Sequence, residues 1–267
     1  MSKRNSFKIF AILNDSLHTL TTVNLTACRL LKYAHGGHYL IVSKFISFSF
    51  LQYISLDERS NIIVFDTIYY DALFVLDGHT SFIKDLVVTE DDKTLISTCE
   101  GGFVYVWDLL KPETNFQKEW QHRNSMYNKI LYDHENDLMY GCTGEKPLCI
   151  YGNLCKDKIA EFITDNSEND TRAAVLSLKH KILFTGTHKG TIKVFLWPMN
   201  KENFEIEAKT GTIGAFTYGF PEFVEYNAHL SPVTYLELSS DGNFLFSGAA
   251  DGSVFIFKVK VSLHVKN

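Results

Sequence analysis

Apolar and polar residues alternate along this chain in short runs, and turn-forming residues separate the runs. Near the end, Val233–Leu238 alternates, Ser239–Asn243 carries turn residues, and Phe244–Gly248 extends. Asp251-Gly252 then turns the chain again before Ser253–Val259 alternates. A period of two marks a strand with one face buried, and Asp-Gly between two such runs marks a hairpin. No stretch sustains a 3.6-residue period, so the chain is expected to be all-β with helices nearly absent.

The runs repeat. Asp77–Asp108 aligns with Asn227–Lys258 without a gap at an offset of 150. His79 falls on His229, Leu86 on Leu236, Leu95 on Leu245, Ser97 on Ser247, Gly102 on Gly252, Val106 on Ile256 and Trp107 on Phe257. Two weaker copies lie between. An offset of 107 sets His122 on His229, Leu131 on Leu238 and Ile150 on Phe257. An offset of 62 sets Leu183 on Leu245, Thr185 on Ser247, Gly186 on Gly248, Gly190 on Gly252 and Phe195 on Phe257. A more divergent copy spans about residues 27–77, with Asn61–Asp66 as its third strand. Groups of four strands recurring every ~40–50 residues are the pattern of propeller blades. About five blades are legible, so residues 1–267 read as one propeller domain or a segment of one. Two inserts interrupt it, at about residues 44–59 and 199–221.

Asp77-Gly78-His79 and Trp107-Asp108, with His79 and Trp107 28 positions apart, resemble the GH…WD signature of WD repeats. That resemblance implies a structural tetrad of His, Ser or Thr, Asp and Trp in each blade. His229, Ser247 and Asp251 match it in the last copy, with Phe257 in the Trp place. His79, Ser97 and Trp107 match it in the second copy, but Gly101 holds the Asp position, so that network is expected to be incomplete. A buried imidazole needs partners for its ring nitrogens, so these residues would pin the blade rather than do chemistry.

Several segments in order resemble the large cilia- and flagella-associated WD-repeat proteins of the axoneme, and specifically the second of their two propellers. They are Lys32–His38, Gly78–Leu109, Phe184–Thr187 with Gly190–Ile192, and Glu225–Val259. The resemblance implies partners among inner-arm dynein-associated subunits and microtubule-bound proteins. It also implies a role in anchoring or regulating inner-arm dynein. An open arc of blades would leave bare strand edges, so a further chain that completes the propeller is an additional expected partner.

Composition narrows the classes. The net charge is −5 with acids and bases scattered, so there is no basic field for nucleic acid. The most apolar run, Phe45–Leu56, is too short for a membrane span and carries Ser and Gln. Lys8 interrupts Phe7–Leu13, which reads as a first strand, paired with Leu17–Val23, rather than as a signal segment. Five cysteines form an odd set and read as reduced thiols.

Candidate chemistry is sparse. His35-Gly36-Gly37-His38 has the spacing of a metal pair but no third ligand nearby, and reads as a turn. Cys142, Cys149 and Cys155 are spaced too widely for a zinc site, and read as small buried hydrophobes. Asp91-Asp92 and Glu135–Asp137 fall at hairpin turns, and Asp165–Asp170 reads as a solvated loop. No catalytic, cofactor-binding or metal-binding residue is assigned, and a non-enzymatic scaffold is expected. The second insert carries Phe204, Phe216, Tyr218 and Phe220, a density of aromatics that suits either a protein-contact loop or a cover over a blade edge. The rival to an axonemal scaffold is a WD-repeat adaptor in a cytosolic multiprotein complex.

Overall fold

The computed structural model describes residues 6–13, 16–25, 28–46, 59–111, 118–122, 126–143, 148–162, 171–198, 216–218 and 223–260. Among these residues the regular structure is all β. The chain divides into two compact units, residues 1–124 and 125–267.

The first unit holds three antiparallel sheets. Strands β1 (Ser6–Leu13) and β2 (Ser16–Asn24) form a hairpin. Strands β3 (Cys28–Tyr33), β4 (Tyr39–Ile46), β5 (Arg59–Asp66) and β6 (Ala72–His79) form a four-stranded meander. A second meander follows, made of β7 (Ile83–Val88), β8 (Thr94–Cys99), β9 (Phe103–Asp108) and β10 (Lys118–Gln121). The alternation seen in sequence decides what is buried. Ile41, Ile62, Val64 and Leu76 of the first meander form one core with Ile83, Leu86, Leu95 and Trp107 of the second. Phe7 of the hairpin packs edge-on against Phe65, with ring centroids 6.0 Å apart.

The second unit repeats the plan. Strands β11 (Tyr127–Asp133), β12 (Leu138–Thr143), β13 (Leu148–Gly152) and β14 (Asp157–Phe162) form a meander, and β18 (Phe216–Tyr218) adds to it parallel to β14. The next sheet comprises β15 (Thr171–Ser177), β16 (Ile182–Thr187), β17 (Thr191–Leu196) and β19 (Phe223–Asn227). The last sheet comprises β20 (Val233–Leu238), β21 (Phe244–Ala249) and β22 (Val254–Lys258). Ala173, Ile182, Phe184 and Ile192 bury one face against Val233, Leu236 and Leu245.

One close approach fixes how these two sheets join. Gly190 has φ +84, and its carbonyl accepts the His229 amide at 2.9 Å. A Cβ there would collide with the carbonyl oxygens of His229 and Ser231, so only glycine fits.

The hairpin β1–β2 and the third strand β5 fall where the sequence pattern puts them. Five sheets of three or more strands account for the five expected blades. The first insert is narrower than its expected limits. β4 and β5 stay paired through Lys44↔Asn61 and Ile46↔Arg59, so its two ends are strand, and residues 47–58 lie outside the described ones.

Candidate functional site: polar pins and a bare sheet face

In the β7–β10 sheet the expected residues converge. Trp107 Nε1 donates to Ser97 Oγ at 2.7 Å, and His79 Nε2 meets the same oxygen at 2.6 Å. Ser97 Oγ thus accepts from the indole and shares a hydrogen bond with the imidazole, tying the end of β6 to β8 and β9. Tyr105 stacks on Trp107, with centroids 5.5 Å apart, and stands edge-on to His79 at 4.3 Å. Gly101 lacks a side chain, and His79 Nδ1 is buried without a hydrogen-bond partner. Burial lowers the His79 pKa to about 3, so the ring is neutral.

The last sheet builds a different relay. His229 Nε2 meets Ser247 Oγ at 2.8 Å, and Nδ1 meets Ser253 Oγ at 2.8 Å. Asp251 accepts the Ser253 amide at 2.9 Å and reaches His229 through Ser253. The Ser253 hydroxyl, followed by its amide, lowers the Asp251 pKa. Phe257 has no donor to give Ser247, and its partly buried ring only packs. Ser253 escapes notice in the sequence because Phe103 occupies the aligned position.

Two further links were invisible in the repeat. Trp197 Nε1 donates to the Asp133 carboxylate at 2.6 Å in a buried contact spanning 64 residues of sequence. Asp133 also accepts the amides of Glu135 and Asn136 at 3.0 and 3.2 Å, and the Asn136 side chain at 2.8 Å. The second link explains His35-Gly36-Gly37-His38. Asp92 accepts the backbone amides of His35 and Gly36 at 2.7 and 2.6 Å, and His35 Nε2 meets the Val88 carbonyl at 3.0 Å. With Gly37 at φ +72, the segment is a turn clasped to the β7–β8 hairpin.

The remaining candidates are placed as follows. Asp91 accepts from Thr89 Oγ1 and the Lys93 amide, which makes it a turn residue. Asp137 accepts from Tyr132 and the Leu154 amide. Cys142, Cys149 and Cys155 are buried, the first two on adjacent strands. Phe216 and Tyr218 lie in β18, whereas Phe204, Phe220 and residues 165–170 lie outside the described residues.

The last sheet also presents an apolar face. By register, Tyr235, Phe246, Val254 and Ile256 share it. They are 59, 37, 66 and 62% exposed. Their counterparts at the offset of 62 include Ala173, Phe184 and Ile192, exposed by only 4, 6 and 2% beneath the last sheet.

Short antiparallel sheets of this kind, two of them pinned by a His–Ser pair, define a class, and comparison with known proteins gives the same class. Residues 71–108 and 221–258 match the WD40 family model, described as "WD domain, G-beta repeat". The chain is similar to the crystal structure of the β-propeller domain of Myceliophteria thermophila Cps50 (Swd1), with a TM-score of 0.62 and 17% identity. That match covers 88% of this chain and 66% of the other. The chain therefore carries WD40 repeats at residues 71–108 and 221–258 and has the fold of WD40 β-propellers, which are typically non-enzymatic scaffolds. Among curated proteins it is similar to cilia- and flagella-associated protein 57 of Mus musculus, 24% identical over 96% of this chain and 17% of that protein. It is likewise similar to cilia- and flagella-associated protein 57 A of Tetrahymena thermophila, 22% identical over 95% of this chain and 20% of that protein. The chain thus spans a fifth or less of the length of these relatives.

Proposed function

We propose that residues 1–267 act as one propeller segment that docks other proteins in the axoneme of a cilium or flagellum. In this role it helps anchor or regulate inner-arm dynein. The observation that carries the docking function is the bare face of the last sheet. Four large apolar side chains stay in water there, although the neighbouring sheet buries its equivalents. Contiguous exposed apolar surface of this kind marks an interaction site. A further sheet packed against it, as the last sheet packs on β15–β17, is the kind of surface that fits. The axonemal setting rests on the likeness to two ciliary proteins over nearly the whole chain. Dynein-associated subunits and microtubule-bound proteins are the partners this setting supplies.

Mass spectrometry of salt-washed axonemes from the source organism tests the setting. Peptides of this chain retained on washed axonemes are the expected result. Their absence from axonemes together with their presence in the cell body overturns the ciliary role and leaves an adaptor of a cytosolic complex.

A further inference from the structure

We infer that the outer edge of β14 is a strand-addition site for an extended segment of a partner protein, and that β18 is its occupant within the chain. The inference rests on the protein-docking reading and deepens it by naming a second kind of contact.

The course of the chain carries it. β17 and β19 are antiparallel neighbours, with Phe195 opposite Phe223, yet one does not turn directly into the other. The chain first lays Phe216–Tyr218 along β14, in a different sheet, and then returns as β19. Ala160 stands opposite Phe216, Glu161 opposite Thr217 and Phe162 opposite Tyr218. Among the described residues this is the one parallel ladder, and all the others are antiparallel. The four-stranded sheets that contain β6, β10 and β19 have no fifth strand among the described residues.

The contact is short. β14 runs from Asp157 to Phe162, and β18 pairs with its last three residues. The ladder between β14 and β13 slips between Ile150 and Tyr151 and is regular from Ala160 onward. A bulge bends its strand and interrupts pairing, which is why the added strand starts at Ala160. Parallel pairing is also slightly weaker per residue than antiparallel pairing. The tether makes up the difference, because it holds β18 beside β14 at an effective concentration on the order of millimolar.

The backbone groups that receive β18 recognise any strand laid beside them. Main-chain hydrogen bonds supply the affinity and alternate side chains supply the choice. The sequence of β18 states that choice: aromatic residues two apart, in register with Ala160 and Phe162. Positions two apart share one face of a strand, where cross-strand pairs stabilise the sheet. The partner segment is therefore extended, aromatic at alternate positions and free of proline.

The probe is a fluorescein-labelled, end-blocked peptide of residues 214–220, Gly-Ala-Phe-Thr-Tyr-Gly-Phe. It is titrated by fluorescence anisotropy with the whole chain and with the chain carrying Phe216→Pro and Thr217→Pro. Backbone amides point to alternate sides along a strand, so two consecutive prolines remove a ladder donor and free the edge. Saturable binding to the proline variant is expected, about tenfold tighter than to the whole chain, where β18 competes. The same peptide with both prolines should not bind. Hydrogen exchange of the proline variant should slow at residues 157–162 when the peptide is added. A second variant, with residues 200–221 replaced by a short Gly-Ser turn between β17 and β19, should bind the peptide equally and keeps the test if the first misfolds. No binding by either variant makes β18 a cover for the edge and overturns the inference. Equal binding by the whole chain and the variants, or protection elsewhere than at β14, overturns it as well. These outcomes leave the axonemal setting untouched, and absence from axonemes leaves the strand-addition site untouched.

Discussion

His79 makes this protein lose stability on acidification across a defined window. Its ring is buried, one nitrogen meets Ser97, and the other has no partner. Burial lowers its pKa from 6.5 to about 3. Above 6.5 neither the folded nor the unfolded state holds a proton there. Below 6.5 the unfolded chain takes up a proton that the folded protein refuses until about pH 3, so stability falls as pH drops through that interval. Each unit of pH is worth about 1.36 kcal/mol, so between pH 7 and pH 5 the loss from this residue is about 2 kcal/mol. The assay is urea unfolding followed by tryptophan emission at pH 7, 6 and 5, for the wild type and for His79→Gln. The variant starts less stable but lacks the titrating ring, so its stability should fall by about 2 kcal/mol less over the same range. Equal slopes for the two proteins would refute the account, because they would mean that the folded state accommodates the imidazolium. Gly101→Asp with Phe103→Ser supplies the carboxylate and hydroxyl that stand at the aligned Asp251 and Ser253, and it should flatten the dependence by making the protonated ring tolerable.

Three further outcomes follow from the pins. Trp107→Ala removes a fully buried indole and the donor to Ser97, so it should cost roughly 3–5 kcal/mol in urea unfolding. Asp133→Ala leaves the Trp197 indole and the Glu135 and Asn136 amides without their acceptor, a loss of about 3 kcal/mol or more by the same measurement. Asp92→Ala frees the His35 and Gly36 amides at an exposed site, so about 1–2 kcal/mol is expected, with faster amide hydrogen exchange confined to that turn.

Local pattern carried much of the fold. The gapless alignment of Asp77–Asp108 with Asn227–Lys258 places β7–β9 and β20–β22, because a strand's period of two and its turn residues are short-range signals. The His–Ser pairs of two sheets stand where the repeat put them, whereas Asp251 meets Ser253 instead of His229. What escaped the sequence is long-range or non-repeating. Asp133 and Trp197 stand 64 residues apart and belong to different sheets, and no local pattern joins an acid to an indole. β18 pairs in parallel with β14, and alternation says which face of a strand is apolar but not which strand it joins. Ser253 was hidden because a serine beside a turn ordinarily serves its own backbone.

The pins also explain why the family model recognises residues 71–108 and 221–258 when more sheets than that are built. Both matched segments contain the His–Ser pair that bridges the end of one sheet to the second strand of the next. The sheets between them carry other residues at those positions. Where Ser97 and Ser247 stand, the β11–β14 sheet has Tyr140, packed edge-on to Trp197 at 6.1 Å, and the β15–β19 sheet has Thr185. The bond that secures these two sheets to each other runs from Trp197 to Asp133. A buried donor demands an acceptor, but nothing demands that it be the same acceptor in each blade. Once one blade satisfies its polar atoms differently, the signature residues are free to change there while the apolar alternation that builds the sheet stays. A signature built on identities then fades blade by blade, while one built on alternation and turns persists along the chain.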